Sequence, residues 1–155
     1  MKRTVARMAV VGIFVAAIIV SSAGYARADE HSCSLAHSAG KWSFTDNGTV
    51  IGVGLRTAVG VVTFDGNGNL VHGVATSSLN GTVAQETFSG TYTVNTDCTG
   101  TASAKIFSGG SELLAVTFSM SFDDDMRHMR AVFTSLALPD GTPLASVISL
   151  DAIKQ

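Results

Sequence analysis

The sequence predicts an all-β protein, a single antiparallel, up-and-down barrel of about eight strands. Short runs in which apolar and polar residues alternate follow one another from residue 40 onwards, and this two-residue period is typical of strands buried on one face. Turns rich in Gly, Asn and Asp separate the runs, so strands adjacent in sequence are expected to pair. No run has the periodicity of a long amphipathic helix. A two-sheet sandwich is the alternative fold.

The N-terminal residues have a different pattern. Lys2, Arg3 and Arg7 precede an apolar run, Met8 to Val20, and a small-residue pattern ends at Ala28. This order is typical of a secretory signal peptide and predicts that residues 1–28 are removed. An uncleaved anchor helix is the alternative, although the apolar run is shorter than the ~20 residues of a membrane-spanning helix. We therefore expect a secreted or periplasmic protein with no membrane association after cleavage.

The rest of the chain divides into a leader, residues 29–39, and a barrel domain, residues 40–155. Cleavage removes four of the 10 basic residues and none of the 12 acidic residues, so the net charge changes from −2 to about −6. An acidic chain without a Lys/Arg cluster argues against nucleic acid and anionic membranes as partners, because both need a concentrated positive face. Nothing in the sequence indicates a cofactor, and the oligomeric state stays unknown.

Cys33 and Cys98 are the only cysteines. In an exported chain such a pair predicts a disulfide, here between the leader and the turn after the fourth strand. The bond closes a loop of about 66 residues and contributes roughly 4 kcal/mol in the chain-entropy model. A reactive thiol pair is the alternative, but the chain lacks the Cys-x-x-Cys spacing.

The first strand carries Trp42 and Phe44 on one face and is predicted to end at a turn, Asp46 to Gly48, because Asn and Gly accept positive φ. A short segment follows around Val50 to Val53. The last segment, 144–153, is interpreted as a strand or a short helix. The strands between them are predicted at 56–65, 70–78, 86–94 (with 82–85 as its start or its approach), 101–107, 112–122 and 127–138.

The fourth strand is the most regular element near a cysteine. Phe88, Tyr92 and Val94 share one face, and Gly90 lies between them. We expect these side chains to form part of the interior wall and the glycine to permit a bend. Glu86 has the same parity and is expected at the open end of the strand, in water. If it faced a cavity instead, it could serve as a general acid or base.

The start of the first strand, Gly40-Lys41-Trp42, resembles the Gly-x-Trp motif of the lipocalins. The resemblance implies a barrel that carries a small apolar ligand, with Trp42 closing one end beneath an arginine, here Arg127 or Arg130. The sequence Asn95-Thr96-Asp97 stands where a second lipocalin motif would occur, but it lacks the aromatic residue. No long C-terminal helix is evident.

A larger part of the chain is similar to calycin-like and allene-oxide-cyclase-like barrels. The similar stretches are 63–68, 80–81, 90–94 and 97–100, and they look like those of small exported bacterial proteins of uncharacterised function. This resemblance implies a barrel fold and export from the cytoplasm, and the proteins with this fold include cyclases.

Three stretches contain residue types that bind metals, but each has a simpler interpretation, so no metal is predicted. The stretch Asp65 to Asn69 has oxygen ligands at alternate positions. It lacks the glycine at the sixth and the glutamate at the twelfth position of an EF-hand loop, so it is interpreted as a hairpin turn. His31, Cys33 and His37 lie close in sequence, but an oxidised cysteine is no thiolate ligand. The run Asp123 to Asp125 reads as a solvated turn.

We predict non-enzymatic binding of a small apolar ligand. The alternatives are a cofactor-free cyclase or isomerase, whose weak catalytic candidates are Glu86, Tyr92 and His72, and a structural or interaction module of the envelope with a packed core. The chain lacks the Gly-x-Ser-x-Gly, His-Glu-x-x-His and phosphate-binding motifs of common enzymes. The predicted ligand-binding residues are Trp42, Phe64, Phe88, Tyr92, Phe118 and Phe133.

Overall fold

The computed structural model describes residues 33–155. The predicted signal peptide, residues 1–28, and His31 lie outside the described residues. Among the residues that it does describe, no helix has the length and apolarity required to cross a membrane.

Each strand pairs antiparallel with its neighbours in sequence, and β1 also pairs with β8, so the sheet closes into an eight-stranded up-and-down barrel. The fold class predicted from the sequence is confirmed. The elements are α1 (Leu35–Ser38), β1 (Gly40–Val50), β2 (Gly54–Phe64), β3 (Asn69–Leu79), β4 (Thr82–Val94), β5 (Thr99–Ser108), β6 (Ser111–Phe122), β7 (His128–Ala137) and β8 (Ser146–Lys154).

The core lies inside the barrel and follows the alternation of the strands. On β6, Leu114, Val116, Met120 and Phe122 are buried, and Ser119 between them is exposed. The same alternation on the other strands gives a continuous apolar cluster. Burial of this interior is the main favourable contribution to folding.

The predicted turn at Asp46 to Gly48 is wrong, because β1 runs through it and turns at Ile51 to Val53 instead. Gly48 allows β1 and β8 to lie close together, because a Cβ atom there would lie 2.6 Å from the Cα of Ile148 on β8. Asp46 faces inward and is buried. The Asn-Gly pair therefore lies in a strand, where the small residue is needed for interstrand contact.

β-bulges decide which residues face the interior on β3 and β7. On β3 the register with β4 shifts between Leu70 and Gly73; both of these residues are buried, whereas His72, with φ of 54°, is exposed. On β7 the register with β6 shifts beyond Phe133, and the next buried residue is Leu136. One extra residue reverses the parity of everything after it.

Helix α1 and the predicted disulfide cover one end of the barrel, which we call the closed end. The Cys33–Cys98 bond joins the leader to the β4–β5 turn, with the two Cα atoms 5.0 Å apart. The Trp42 indole Nε1 donates a 2.9 Å hydrogen bond to the carbonyl of Ser38, and Ser38 Oγ forms a 3.1 Å hydrogen bond with Tyr92 Oη. These contacts hold the leader against the closed end of the barrel.

At the opposite end, the β3–β4 hairpin extends past its neighbour. The β4–β5 ladder begins at the pair Thr87 and Phe107, although β4 itself begins at Thr82. The first residues of β4, which we call the overhang (82–86), therefore pair with β3 and have no ladder partner on β5.

Candidate functional site

A cavity of about 60 Å³ lies inside the barrel. Its lining is mostly apolar, and Trp42 and Phe64 form the part nearest the closed end. Two edge-to-face aromatic pairs contribute to the walls: Phe44 with Phe88, centroids 5.6 Å apart, and Phe118 with Phe133, centroids 4.7 Å apart. These four rings are only partly buried, so part of each faces open space.

A polar cluster of four buried residues, Asp46, Arg56, Ser77 and Glu86, occupies one side of this interior. Arg56 donates to Glu86 in a bidentate pair, Nη1 to Oε1 at 3.2 Å and Nη2 to Oε2 at 3.1 Å. Ser77 Oγ donates to Glu86 Oε1 at 2.6 Å. Asp46 Oδ2 accepts a longer bond, 3.4 Å, from Arg56 Nη2. Arg56 thus joins two carboxylates from different strands.

Position in the strands brings the cluster together. Asp46 and Ala58 are direct partners across β1 and β2, and Ala58 in turn pairs with Ser77 on β3. Glu86 lies on β4, opposite Ala75. Arg56 is two residues before Ala58 and on the same inward face, so its long side chain reaches the carboxylates on either side.

Burial and neighbouring charges balance differently at Asp46 and at Arg56. Burial raises the pKa of Asp46 above 3.8, and the positive charge of Arg56 opposes this only in part. Burial also disfavours the Arg56 cation, but the hydrogen bonds and charges of Glu86 and Asp46 outweigh it and raise the pKa of Arg56. Arg56 therefore stays charged, and its strongest partner is Glu86.

Two atoms of this cluster lack a hydrogen-bond partner. Within the part of the chain that the structure describes, Asp46 Oδ1 and Arg56 Nε are the buried side-chain polar atoms without one. Both residues line the cavity. A buried polar atom left unbonded costs about 1–3 kcal/mol, so a polar group that reached these atoms would be stabilised by them.

The structure separates the residues that the sequence proposed for a site. Trp42, Phe64, Phe88, Phe118 and Phe133 line the cavity. Tyr92 is buried at the closed end instead, where its ring contacts Phe64 with centroids 4.5 Å apart.

Of the three weak catalytic candidates, only Glu86 lines the cavity. The expectation that Glu86 lies in water is wrong, since only 4 % of it is exposed. Its partners Arg56 and Ser77 make burial tolerable, because a buried charge needs pairing and hydrogen bonds. His72 is exposed through the β3 bulge, so Glu86, Tyr92 and His72 do not meet.

Sequence reasoning missed Asp46, Arg56 and Ser77. Asp46 shares the parity of Trp42, and Arg56 shares that of Phe64. The alternation therefore placed a charged residue on the inward face of each strand, and this was the signal that could have found Asp46 and Arg56. The apparent turn at residues 46–48 hid the first. The bulge hid Ser77, because parity counted from Leu70 places residue 77 outside.

The arginines expected above Trp42 lie elsewhere. Arg127 and Arg130 are both exposed, and Arg130 Nε lies 3.8 Å from Asp151. The described ring contacts of Trp42 are with Phe64 and Phe122.

The oxygen-rich turns bind their own backbone. Asp65 Oδ1 accepts from the amides of Asn67 at 2.8 Å and Asn69 at 2.9 Å, and Asp123 Oδ1 accepts from the amide of His128 at 3.0 Å. Between residues 33 and 155 there is no group of three or more His, Cys, Asp or Glu side chains arranged to hold a metal ion.

Comparison with known proteins gives similarity of fold. No family model matches this chain, and no curated protein matches it. A solved structure of EF1p2_mFAP2b bound to DFHBI has a TM-score of 0.56 and 14% identity, and the match covers 77% of this chain and 94% of that chain. A redesigned β-barrel, mFAP1, also bound to DFHBI, has a TM-score of 0.51 and 18% identity, with 79% and 98% covered.

Proposed function

We propose that this is an exported, non-enzymatic binding protein that holds a small, mostly apolar molecule inside the barrel. One observation carries the proposal: an aromatic cavity with unbonded polar atoms on a single side. Ligand sites typically combine an apolar lining with a few placed polar groups that fix orientation. Two barrels of similar fold were solved with a small molecule, DFHBI, bound, which supports the same use of this one.

The volume limits the ligand. A cavity of about 60 Å³ is smaller than the ~150 Å³ of an engineered apolar cavity that binds benzene. A ligand the size of one aromatic ring therefore needs side chains to move. The rings of Phe44, Phe88, Phe118 and Phe133 line the cavity and are only partly buried, so they are the ones we expect to move. We propose ligands of one ring or a short chain.

Export to the periplasm or the cell exterior is part of the proposal. The Cys33–Cys98 disulfide is of a kind that forms and persists in oxidising compartments. The N-terminal charge and hydropathy pattern supplies the second argument.

Two matched variants test the proposal. Ala104 is buried and lines the cavity, and the adjacent Ser103 is exposed on the outer surface of β5. Binding of toluene, benzyl alcohol and indole to the oxidised protein is measured by ¹H–¹⁵N chemical-shift perturbation. We expect saturable binding that Ala104→Leu abolishes and Ser103→Leu leaves intact. Absence of saturable shifts for every compound, or equal binding by Ala104→Leu, would contradict it.

The second candidate is a structural or interaction module. The small cavity favours it, and so do aliphatic side chains on the outer surface next to the β1–β2 turn. Ile51, Leu55 and Val147 are 60%, 73% and 72% exposed, and Thr49 pairs with both Leu55 and Val147. Contiguous exposed apolar surface is typical of interaction sites.

A further inference from the structure

We infer that the ligand carries a hydroxyl group, as an alcohol or a phenol does, and not a carboxylate, at the end that meets Asp46 and Arg56. The inference rests on the proposed function and adds the chemical class of the ligand. Three properties of the polar cluster support it: its charge, its unbonded atoms and its protonation.

The cation of the cluster is already neutralised. Both terminal nitrogens of Arg56 donate to Glu86, at 3.2 and 3.1 Å, and Nη2 also reaches Asp46 at 3.4 Å. Among the described residues that line the cavity, Arg56 is the sole Lys or Arg. With one ionised carboxylate beside the Arg56 cation the cluster has a net charge of zero, and with two it has a net charge of −1. A ligand carboxylate would add a further buried negative charge without a free cation, which is strongly unfavourable.

The unbonded atoms are one acceptor and one donor, a pair that a group able both to donate and to accept matches. Asp46 Oδ1 is an acceptor when the carboxylate is ionised, and Arg56 Nε is a donor. They belong to the same ion pair, and its two side chains are only 3% and 4% exposed. A hydroxyl group donates one hydrogen bond and accepts others, so it offers each of the two atoms a partner of the right kind. An ammonium group has no acceptor, and a carboxylate has no donor.

A hydroxyl group also suits either protonation state of Asp46. Burial raises the pKa of this carboxyl group, and a protonated carboxyl group donates where the ionised form accepts. The ligand hydroxyl can donate to the ionised Asp46 or accept from the protonated one, with its oxygen in the same place. The cluster therefore selects the ligand through geometry and not through a full charge.

The test compares ligands of one shape that differ in the polar group. Benzyl alcohol, toluene, benzylamine and benzoate are titrated into the oxidised protein at pH 7, followed by chemical-shift perturbation. We expect benzyl alcohol to bind at least about tenfold more tightly than toluene and benzoate, the lower end of the ratio that one hydrogen bond to a charged group provides. We expect benzylamine to bind more weakly than benzyl alcohol, because its ammonium group cannot accept from Arg56 Nε.

Asp46→Leu and a matched control locate the effect. Asp46→Leu should reduce the preference for benzyl alcohol over toluene to about threefold or less, because the side chain that replaces Asp46 can neither donate nor accept a hydrogen bond. Asp151→Leu changes an exposed aspartate on the outer surface of β8 and should leave the preference unchanged. If Asp46→Leu does not fold, the wild-type ranking alone decides.

The outcomes separate the two proposals. Benzoate or benzylamine binding as tightly as benzyl alcohol overturns the hydroxyl inference and leaves the proposed function standing. A preference that survives in Asp46→Leu also overturns it. No saturable binding by any of the four compounds overturns both.

Discussion

Replacing Arg56 by Met removes the charge that joins Asp46 to Glu86. Ser77 still donates to Glu86, but both carboxylates lose their cation, and each is at most a few per cent exposed. Removing one partner of a buried ion pair costs about 3–5 kcal/mol because the remaining charge is uncompensated. That is a large share of the ~5–15 kcal/mol by which domains are usually stable. We expect a loss in this range for Arg56→Met at pH 7.

Urea unfolding of the oxidised protein, followed by circular dichroism, measures this loss. The matched control is Arg130→Met, whose side chain is 77% exposed beside Asp151 and whose removal should cost about 0–1 kcal/mol. Replacing Asp46, Arg56 and Glu86 together by apolar residues of similar volume should recover most of the loss, since no buried charge remains. If Arg56→Met and Arg130→Met lose the same stability at an unchanged m-value, the cluster is not the buried, coupled unit described above.

Three further perturbations test other parts of the structure. Burial raises the folded-state pKa of Asp46 above 3.8, so the folded protein holds this proton more tightly than the unfolded chain does. Wild type should therefore lose stability relative to Asp46→Asn as the pH rises from 3.8 through the raised pKa; a difference in unfolding free energy that is constant across this window would contradict the reasoning. Cys33→Ser should lower the unfolding free energy by roughly 4 kcal/mol without changing the fold, and reduction of wild type should reproduce the effect; a mutant that melts like the wild type would show that the disulfide does not stabilise the barrel. Tyr92→Phe should cost about 0.5–1.5 kcal/mol by removing the hydrogen bond to Ser38, and it should cost nothing further in a Ser38→Ala background; additive losses in this double-mutant cycle would show that the bond does not form.

The sequence predicted the strand count and order because both depend on local signals. Alternation such as that of Leu114 to Phe122 identifies a strand, and turns of a few residues require neighbouring strands to pair. The disulfide followed from the cysteine count and the expected compartment. These features need no knowledge of contacts between distant strands.

The polar cluster depends on contacts that no local pattern encodes. Asn47-Gly48 has the composition of a turn, but the glycine is there because β8 passes too close for a Cβ atom. The bulge at His72 moves Ser77 inward, and its position follows from how β3 fits β4 and not from residue type. Glu86 was expected in water because a lone carboxylate rarely lies in a core, and its cation is 30 residues away in sequence.

Because of the overhang of β4, the two ends of the barrel differ in how easily neighbouring strands separate. The edge of residues 82–86 that faces β5 belongs to no ladder, and Glu86 is the last residue before the β4–β5 pairing begins. No β4–β5 ladder hydrogen bond has to break to move this edge, so we expect it to open at a lower free energy than the part of β4 that is paired on both sides. At the other end, the disulfide and α1 tie the chain together. Under the proposed function, movement of this end of the β3–β4 hairpin would govern ligand exchange, whereas the cavity beneath it would set the affinity.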